Sequence, residues 1–171
     1  MTTLTIHTVE TAPADSKPLL EKSFKANGSP GLLAAYQTLH EQFVNSSFDN
    51  EELTVVWQTI NVEHECHYCV PAHTGIANMM KVDPALTEAL RNSEPMPTDK
   101  LQALHDTTLA MVRKRGQLTE EEVTNFYAAG YGEQQLLEII LGLSQKVISN
   151  YTNRIAETPV DAVFEKFAWS K

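Results

Sequence analysis

Signals for helix starts recur along this 171-residue chain and constrain its fold more than any other feature. Two of them pair an N-cap residue with a proline, which suits the first helical position. Two others have capping-box spacing, in which an N-cap side chain and a residue three positions later exchange hydrogen bonds with the backbone. They are Ser29-Pro30, Asp49 with Glu52, Asp83-Pro84 and Thr119 with Glu122. Strand signals are scarce, so the chain is predicted to be all-α.

The organisation expected is one domain over residues 1–171, a helical bundle of about seven or eight helices with short links. Residues 1–15 contain the one weakly alternating segment and are expected to form an extended N-terminal arm. The last long helix is predicted from about Glu133 to Ala156, and its wide apolar face places it near the centre of the bundle. The proline-containing stretch at 92–100 is interpreted as a connector within that domain.

Composition and charge exclude several classes of partner. Thirteen basic and twenty-two acidic residues give a net charge of -9, without a basic cluster that would suit nucleic acid or an anionic membrane surface. The first residues do not resemble a secretory signal, and no apolar run is long enough for a membrane span of roughly 18 residues. A cytoplasmic protein is expected, and in a reducing compartment paired cysteines favour redox or metal chemistry over structural disulfides.

Both cysteines of the chain lie in the stretch "HECHYCVPAH" at 64–73, together with half of its six histidines. Pro71 is tolerated in a helix only in the first turn, so a new helix is predicted to start at 68–71. Cys69 then lies at or next to the helix N-terminus, where the unpaired N–H groups favour negative charge. Its thiol pKa is therefore expected to be lowered, which makes it reactive.

The spacing of the pair also fits disulfide chemistry, because residues three apart across a helix start have Cα atoms about 5–6 Å apart. One sulfur can then attack and the other can resolve the product. His73 follows Cys69 by one helical turn on the same face and is placed to take a proton from the thiol. Two alternatives are a structural zinc site, with His64 or His67 as the fourth ligand, and inert buried cysteines. His64 and His67 are interpreted as solvated loop residues and His40 as an ordinary histidine. No cofactor is expected.

The segment "LTVVWQTINVEHECHYCVPAHTGIANMM" at 53–80 resembles the alkylhydroperoxidase D-like branch of the carboxymuconolactone decarboxylase family. Its C-x-x-C-x-x-x-H motif opens a helix after an apolar helix, as in that branch. The downstream segments "VDPALTEALR", "AAGYGEQQLLEIILGLSQKVISNYTN" and "DAVFEKFAW" are similar too, so the resemblance covers roughly residues 30–168. Asn150 and Tyr151, polar within this last helix, indicate an interface or a buried polar contact, with the interface favoured.

The resemblance implies a thiol-dependent peroxidase, an antioxidant enzyme with peroxiredoxin activity. Cys69 would attack a hydroperoxide and become a sulfenic acid, Cys66 would condense with it to a disulfide, and His73 would belong to the proton relay. The resemblance also implies a dithiol reductant of the dihydrolipoamide or thioredoxin type, and a homo-oligomer, either trimer or hexamer.

One position departs from the family pattern. The glutamate expected twelve residues before the first cysteine is Thr54 here, which cannot accept a proton. Gln58 could orient His73 through a hydrogen bond, and Glu51, Glu63 and Glu65 are the acids nearby in sequence. Either another acid replaces the glutamate, or His73 works with water.

Two other functions stay open. A lactone decarboxylase-type lyase or isomerase shares the fold, although such members use acid–base residues and lack the cysteine pair. The other is a non-enzymatic module that senses redox state or is stabilised by zinc.

Overall fold

The computed structural model describes Thr11 and residues 29–171, and this part of the chain is all-helical. The predicted all-α class is confirmed. The extended arm expected over 1–15 lies, Thr11 apart, outside the described residues, and the single-domain organisation stays a prediction. Within the described part there are seven α-helices and a short 3₁₀ helix. They are α1 (Pro30–Val44), α2 (Asn50–Glu63), α3 (Cys69–Met79), α4 (Pro84–Asn92), α5 (Asp99–Arg113), α6 (Glu120–Ala128), α7 (Glu133–Ile155) and the 3₁₀ helix Glu165–Phe167.

The helices begin where the capping signals predict. The Asp49 carboxylate accepts from the Glu52 amide at 2.9 Å, and the Asp49 amide donates back to Glu52 at 3.0 Å, which closes a capping box at the start of α2. The same reciprocal pair, Thr119 with Glu122, opens α6. Side chains of Ser29 and Asp83 cap α1 and α4, each followed by proline. These local bonds satisfy backbone donors that a helix start otherwise leaves open.

The central helix is α2, whose residues from Glu52 to Val62 are all buried. From the sequence, α7 is predicted to lie near the centre because of its wide apolar face. That prediction is wrong for this face, because Leu137, Ile140 and Tyr151 are exposed. The face of α7 that packs against α1 and α2 contains Gly142. A Cβ at that position would lie 2.7 Å from the Phe43 ring, so only glycine permits this close approach.

The end of the chain folds back over α3 and α4, and residues 158–169 are called the C-terminal strap here. The Arg91 guanidinium on α4 donates to the carbonyl oxygens of Phe167 and Ala168 at 3.1 and 3.3 Å. The Phe164 ring lies directly against Gly75 of α3. The strap thus covers the helix that begins with the second cysteine.

Among the described residues, no helix combines the length and apolar character needed to cross a membrane.

Candidate active site

The turn between α2 and α3 positions both cysteines. Helix α3 begins at Cys69, so Pro71 is its third residue, and the predicted start at 68–71 is confirmed. Cys66 lies in the preceding turn, where its amide donates to the carbonyl of Asn61 at 3.0 Å. Both side chains are buried and both are free thiols.

A hydrogen bond to the Cys66 sulfur distinguishes the two thiols. The Cys69 amide, an open N–H group at the start of α3, donates to the Cys66 sulfur at 3.3 Å. The Cys69 thiol also donates to that sulfur, and the bond lowers the pKa of Cys66 from 9.0 to about 6. The same bond, aided by burial, raises the pKa of Cys69. The lowered pKa expected at Cys69 is thus found at Cys66, and the pair holds one negative charge.

Amide side chains from α2 and α7 surround the pair. Asn150 on α7 donates to the Asn61 side-chain oxygen at 3.0 Å, and Asn61 donates to Gln58 at 2.9 Å. Asn153, one turn beyond Asn150, donates to the Cys69 sulfur at 3.4 Å. The polar position Asn150 is therefore a buried contact beside the site, not the interface favoured from the sequence.

His73 is buried on α3, and its ring packs at 4.9 Å between centroids against Trp57. Burial, followed by the nearby positive charge of Lys146, lowers the pKa of His73 well below its ordinary value of 6.5. The imidazole is therefore neutral at physiological pH. Its Nε2 atom lies 2.9 Å from the Lys146 amine, and its Nδ1 atom has no hydrogen-bond partner among the described residues.

The two positions considered on α2 do not replace the relay glutamate. The Thr54 hydroxyl donates to the Asn50 carbonyl within its own helix at 2.8 Å. The Gln58 amide donates to the Val70 carbonyl and the Thr74 hydroxyl, each at 3.2 Å. The suggestion that Gln58 orients His73 is wrong, because Gln58 instead joins α2 to α3.

The nearby acids are also engaged elsewhere. Glu63 forms a bidentate salt bridge with Arg113, and the Glu65 carboxylate lies 3.6 Å from the Lys171 amine. Glu51 is exposed in the first turn of α2. In the part of the chain described, no carboxylate is among the groups that shift the pKa of His73 or of either cysteine.

Lys146 on α7 is the site residue that the sequence analysis missed. It is 1% exposed, and within residues 29–171 the one hydrogen-bonding neighbour of its side-chain amine is His73. A signal for it exists in the sequence: Gln145, Lys146, Asn150 and Asn153 recur at helical spacing and define one polar face of α7. The wide apolar face of this helix instead predicts that the opposite side points inward.

Side chains from α1, α2 and α7 form an aromatic and amide layer beside His73. Gln145 accepts from the Trp57 indole at 2.7 Å and lies 3.1 Å from Nδ1 of His40. His40 in turn stacks between Tyr36 and Trp57. His40 is thus part of the surroundings of the site, not the unrelated histidine expected, and burial lowers its pKa.

The residues between and before the cysteines face the strap and α7. His67 is exposed and contacts the Thr158 carbonyl at 3.2 Å, and the Tyr68 hydroxyl donates to Asp161 at 2.7 Å. His64 is half-buried with its ring 5.4 Å from that of Tyr151. In the described part of the chain, no three His, Cys, Asp or Glu side chains come together in a way that could hold a metal ion.

Comparison with known proteins identifies the fold. The helical arrangement is that of the alkylhydroperoxidase AhpD-like proteins. An uncharacterized peroxidase-related protein from Ralstonia eutropha JMP134, described as an alkylhydroperoxidase AhpD core, superposes with a TM-score of 0.77 over 94% of this chain and 92% of that one, at 14% identity. An uncharacterized peroxidase-related protein from Silicibacter sp. TM1040 superposes with a TM-score of 0.68 at 17% identity, covering 77% of this chain and 71% of that chain. No family profile and no curated protein matches the sequence.

Proposed function

We propose that this protein is a thiol-dependent peroxidase that reduces hydroperoxides through Cys66 and Cys69. The observation that carries the proposal is the hydrogen bond from the Cys69 amide to the Cys66 sulfur, which accompanies the lowered pKa of Cys66. It stabilises a thiolate at neutral pH directly beside a second thiol, which is the arrangement that peroxide reduction with disulfide formation requires. The peroxidase-related names of the structural neighbours support the same class of reaction.

In the proposed reaction the proton of the Cys69 thiol first passes along the hydrogen bond to Cys66. The Cys69 thiolate then attacks the terminal oxygen of the hydroperoxide: an S–O bond forms, the O–O bond breaks, and an alkoxide leaves and takes a proton. Cys66 next attacks the sulfur of the sulfenic acid, releasing water and forming the disulfide. His73, neutral and one turn along α3, is the proposed proton carrier for these steps.

The proposal includes the partners of this cycle. A dithiol of the dihydrolipoamide or thioredoxin type would reduce the disulfide, and the cytoplasm is the proposed compartment because it keeps such donors reduced. We also propose a homo-oligomer, trimer or hexamer. The exposed apolar stripe along α7, formed by Leu137, Ile140, Tyr151 and Ile155, supports this association.

The test is an alkylation-mass assay on the reduced protein. The protein is mixed with one equivalent of an organic hydroperoxide, quenched at intervals with a thiol-blocking reagent and weighed intact. We expect rapid loss of both blockable thiols and a mass lower by two hydrogens, because a disulfide forms. Cys66→Ser should stop at a sulfenic acid on Cys69 that a dimedone probe labels, whereas Cys69→Ser should not consume peroxide.

Thiols that stay blockable throughout, in protein shown to be folded by circular dichroism, would overturn the peroxidase proposal. A dimedone adduct on Cys66 in the Cys69→Ser variant would retain the peroxidase but reverse the roles of the two cysteines.

A further inference from the structure

We propose that Lys146 takes the place of the missing relay glutamate, acting as the resident positive charge of the cysteine pair and as the proton donor to His73. The inference rests on the proposed peroxidase function and adds a residue to its site. The family pattern places an acid in the relay, whereas here the relay would be cationic.

The first support is the burial of Lys146 without an acid. The side chain is 1% exposed, and no salt bridge within residues 29–171 involves it. A buried ammonium group without a counter-ion is costly, and such groups are normally paired. Burial lowers the pKa of Lys146, and Cys69 and Cys66 are the two groups that oppose this shift and favour its charged form, so the anion available to it is the thiolate of the pair.

The second support is the geometry at His73. The Lys146 amine lies 2.9 Å from Nε2 of His73, close enough for a direct hydrogen bond. A lysine ammonium can only donate, so it donates to Nε2, and the ring proton then lies on Nδ1. The buried Nδ1 atom has no partner in the described part of the protein and can give this proton away.

The positive charge of Lys146 affects the pKa values of the ionisable groups around the site. Burial is the main cause of the lowered pKa values of His40, His64 and His73, and contact with Cys69 is the main cause at Cys66; the charge of Lys146 acts in the same direction at all four. At Cys69 the hydrogen bond to Cys66 and burial raise the pKa, and the charge of Lys146 opposes that rise. Lowering the pKa of a thiol favours the reactive thiolate, while lowering that of a histidine keeps its imidazole neutral. One buried cation therefore favours both the thiolate form of the cysteine pair and the neutral form of His73.

In the reaction the lysine would act when the O–O bond breaks. The departing alkoxide takes the Nδ1 proton of His73, and Lys146 passes a proton to Nε2, leaving a neutral amine. The reaction removes the negative charge of the Cys69 thiolate and the positive charge of the Lys146 ammonium together. The buried site therefore does not retain an unpaired charge.

The experiment measures thiol reactivity, not peroxide turnover. Rates of iodoacetamide alkylation and thiolate absorbance are followed against pH for reduced wild type and Lys146→Met. We expect the lower thiol pKa to rise by about one unit, so that alkylation slows by about twofold at pH 7 and by about tenfold near pH 5, where the thiolate is the minor form in both proteins. Lys146→Arg, which keeps the charge, should restore most of the rate, and the exposed Lys114→Met should match wild type. An unchanged thiol titration in folded Lys146→Met protein would overturn the inference.

A reciprocal measurement keeps the test independent of that variant. In a Cys66→Ser/Cys69→Ser double variant, the Lys146 ammonium loses its counter-ion, so NMR of its Cε protons should show deprotonation at lower pH than in reduced wild type. Equal titration in both proteins would contradict the proposed pairing. Neither of these two titrations involves peroxide. If both give the expected result while the peroxidase assay fails, the proposed peroxidase function is refuted and the pairing of Lys146 with the cysteines is retained.

Discussion

Cys66 is the residue whose ionisation most directly links the site to stability. Its pKa is lowered in the folded chain from 9.0 to about 6, so between these values the unfolded state binds more protons than the folded state. The stabilisation is fully present above pH 9 and is lost as the pH falls through 6. The raised pKa of Cys69 acts in the alkaline range, above this window.

The reduced protein should therefore become more stable as the pH rises from 6 to 9. Each unit of pKa lowering is worth about 1.4 kcal/mol in the free energy of unfolding. Urea unfolding at several pH values, under reducing conditions, measures the slope. In Cys66→Ser the slope should flatten, since serine does not titrate there. Parallel curves for wild type and Cys66→Ser would show that Cys66 is not a thiolate in the folded protein.

At the scale of elements, α3 and the C-terminal strap meet at Gly75. A Cβ built on Gly75 would lie 2.5 Å from two carbons of the Phe164 ring, closer than packed atoms approach. Phe164 would have to move, and with it the strap residues that contact His67 and Tyr68 beside the cysteines. The packing of this one ring thus affects how closed the site is.

Gly75→Ala should therefore loosen the strap over the cysteines. We expect a loss of about 1–3 kcal/mol in the free energy of unfolding and faster alkylation of the thiols, without a change in their pKa. Gly31→Ala is the matched control, because a Cβ there meets no atom within 4 Å. It should be neutral or slightly stabilising, since alanine favours helix more than glycine does. Equal alkylation rates in the two variants would show that the strap does not limit access.

The elements and the place of the site follow from sequence because they depend on local chemistry. Asp49 with Glu52 specifies a helix start whatever lies around it, and Pro71 permits only a helix that begins just before it. The position of Lys146 does not follow, because its burial depends on which face of α7 packs against α2. Hydropathy alone favours burial of the apolar face of α7, whereas the tertiary contacts bury the polar face that contains Lys146.

At the scale of the whole molecule, the apolar face of α7 lacks a cover within the described chain. Leu137 is 64% exposed, and Ile140, Tyr151 and Ile155 continue the same stripe towards the end of the helix. Such a stripe is typical of a contact with another protein surface, and the proposed homo-oligomer would supply that surface. The sequence prediction that this face is buried would then hold for the assembly, not for the single chain.

Leu137→Glu should weaken self-association, because it places a charge within the apolar contact. A loss of about 2 kcal/mol or more per contact is expected if Leu137 lies near the centre of the interface. Light scattering coupled to size exclusion compares its mass with that of wild type. Met79→Glu, a change at an equally exposed residue on α3, is the control and should assemble normally. A monomeric wild type, or unchanged mass in Leu137→Glu, would contradict the proposed assembly.

The strap is translated after the cysteines, so the site has a different environment during synthesis than in the folded protein. Chains emerge from the ribosome starting at the N-terminus, so α2 and the start of α3 are made before residues 158–169 exist. Until the strap arrives, the turn with both cysteines lacks the contacts to Thr158 and Asp161. A nascent chain would thus present its two thiols uncovered until residues 158–169 have been translated and have packed over α3.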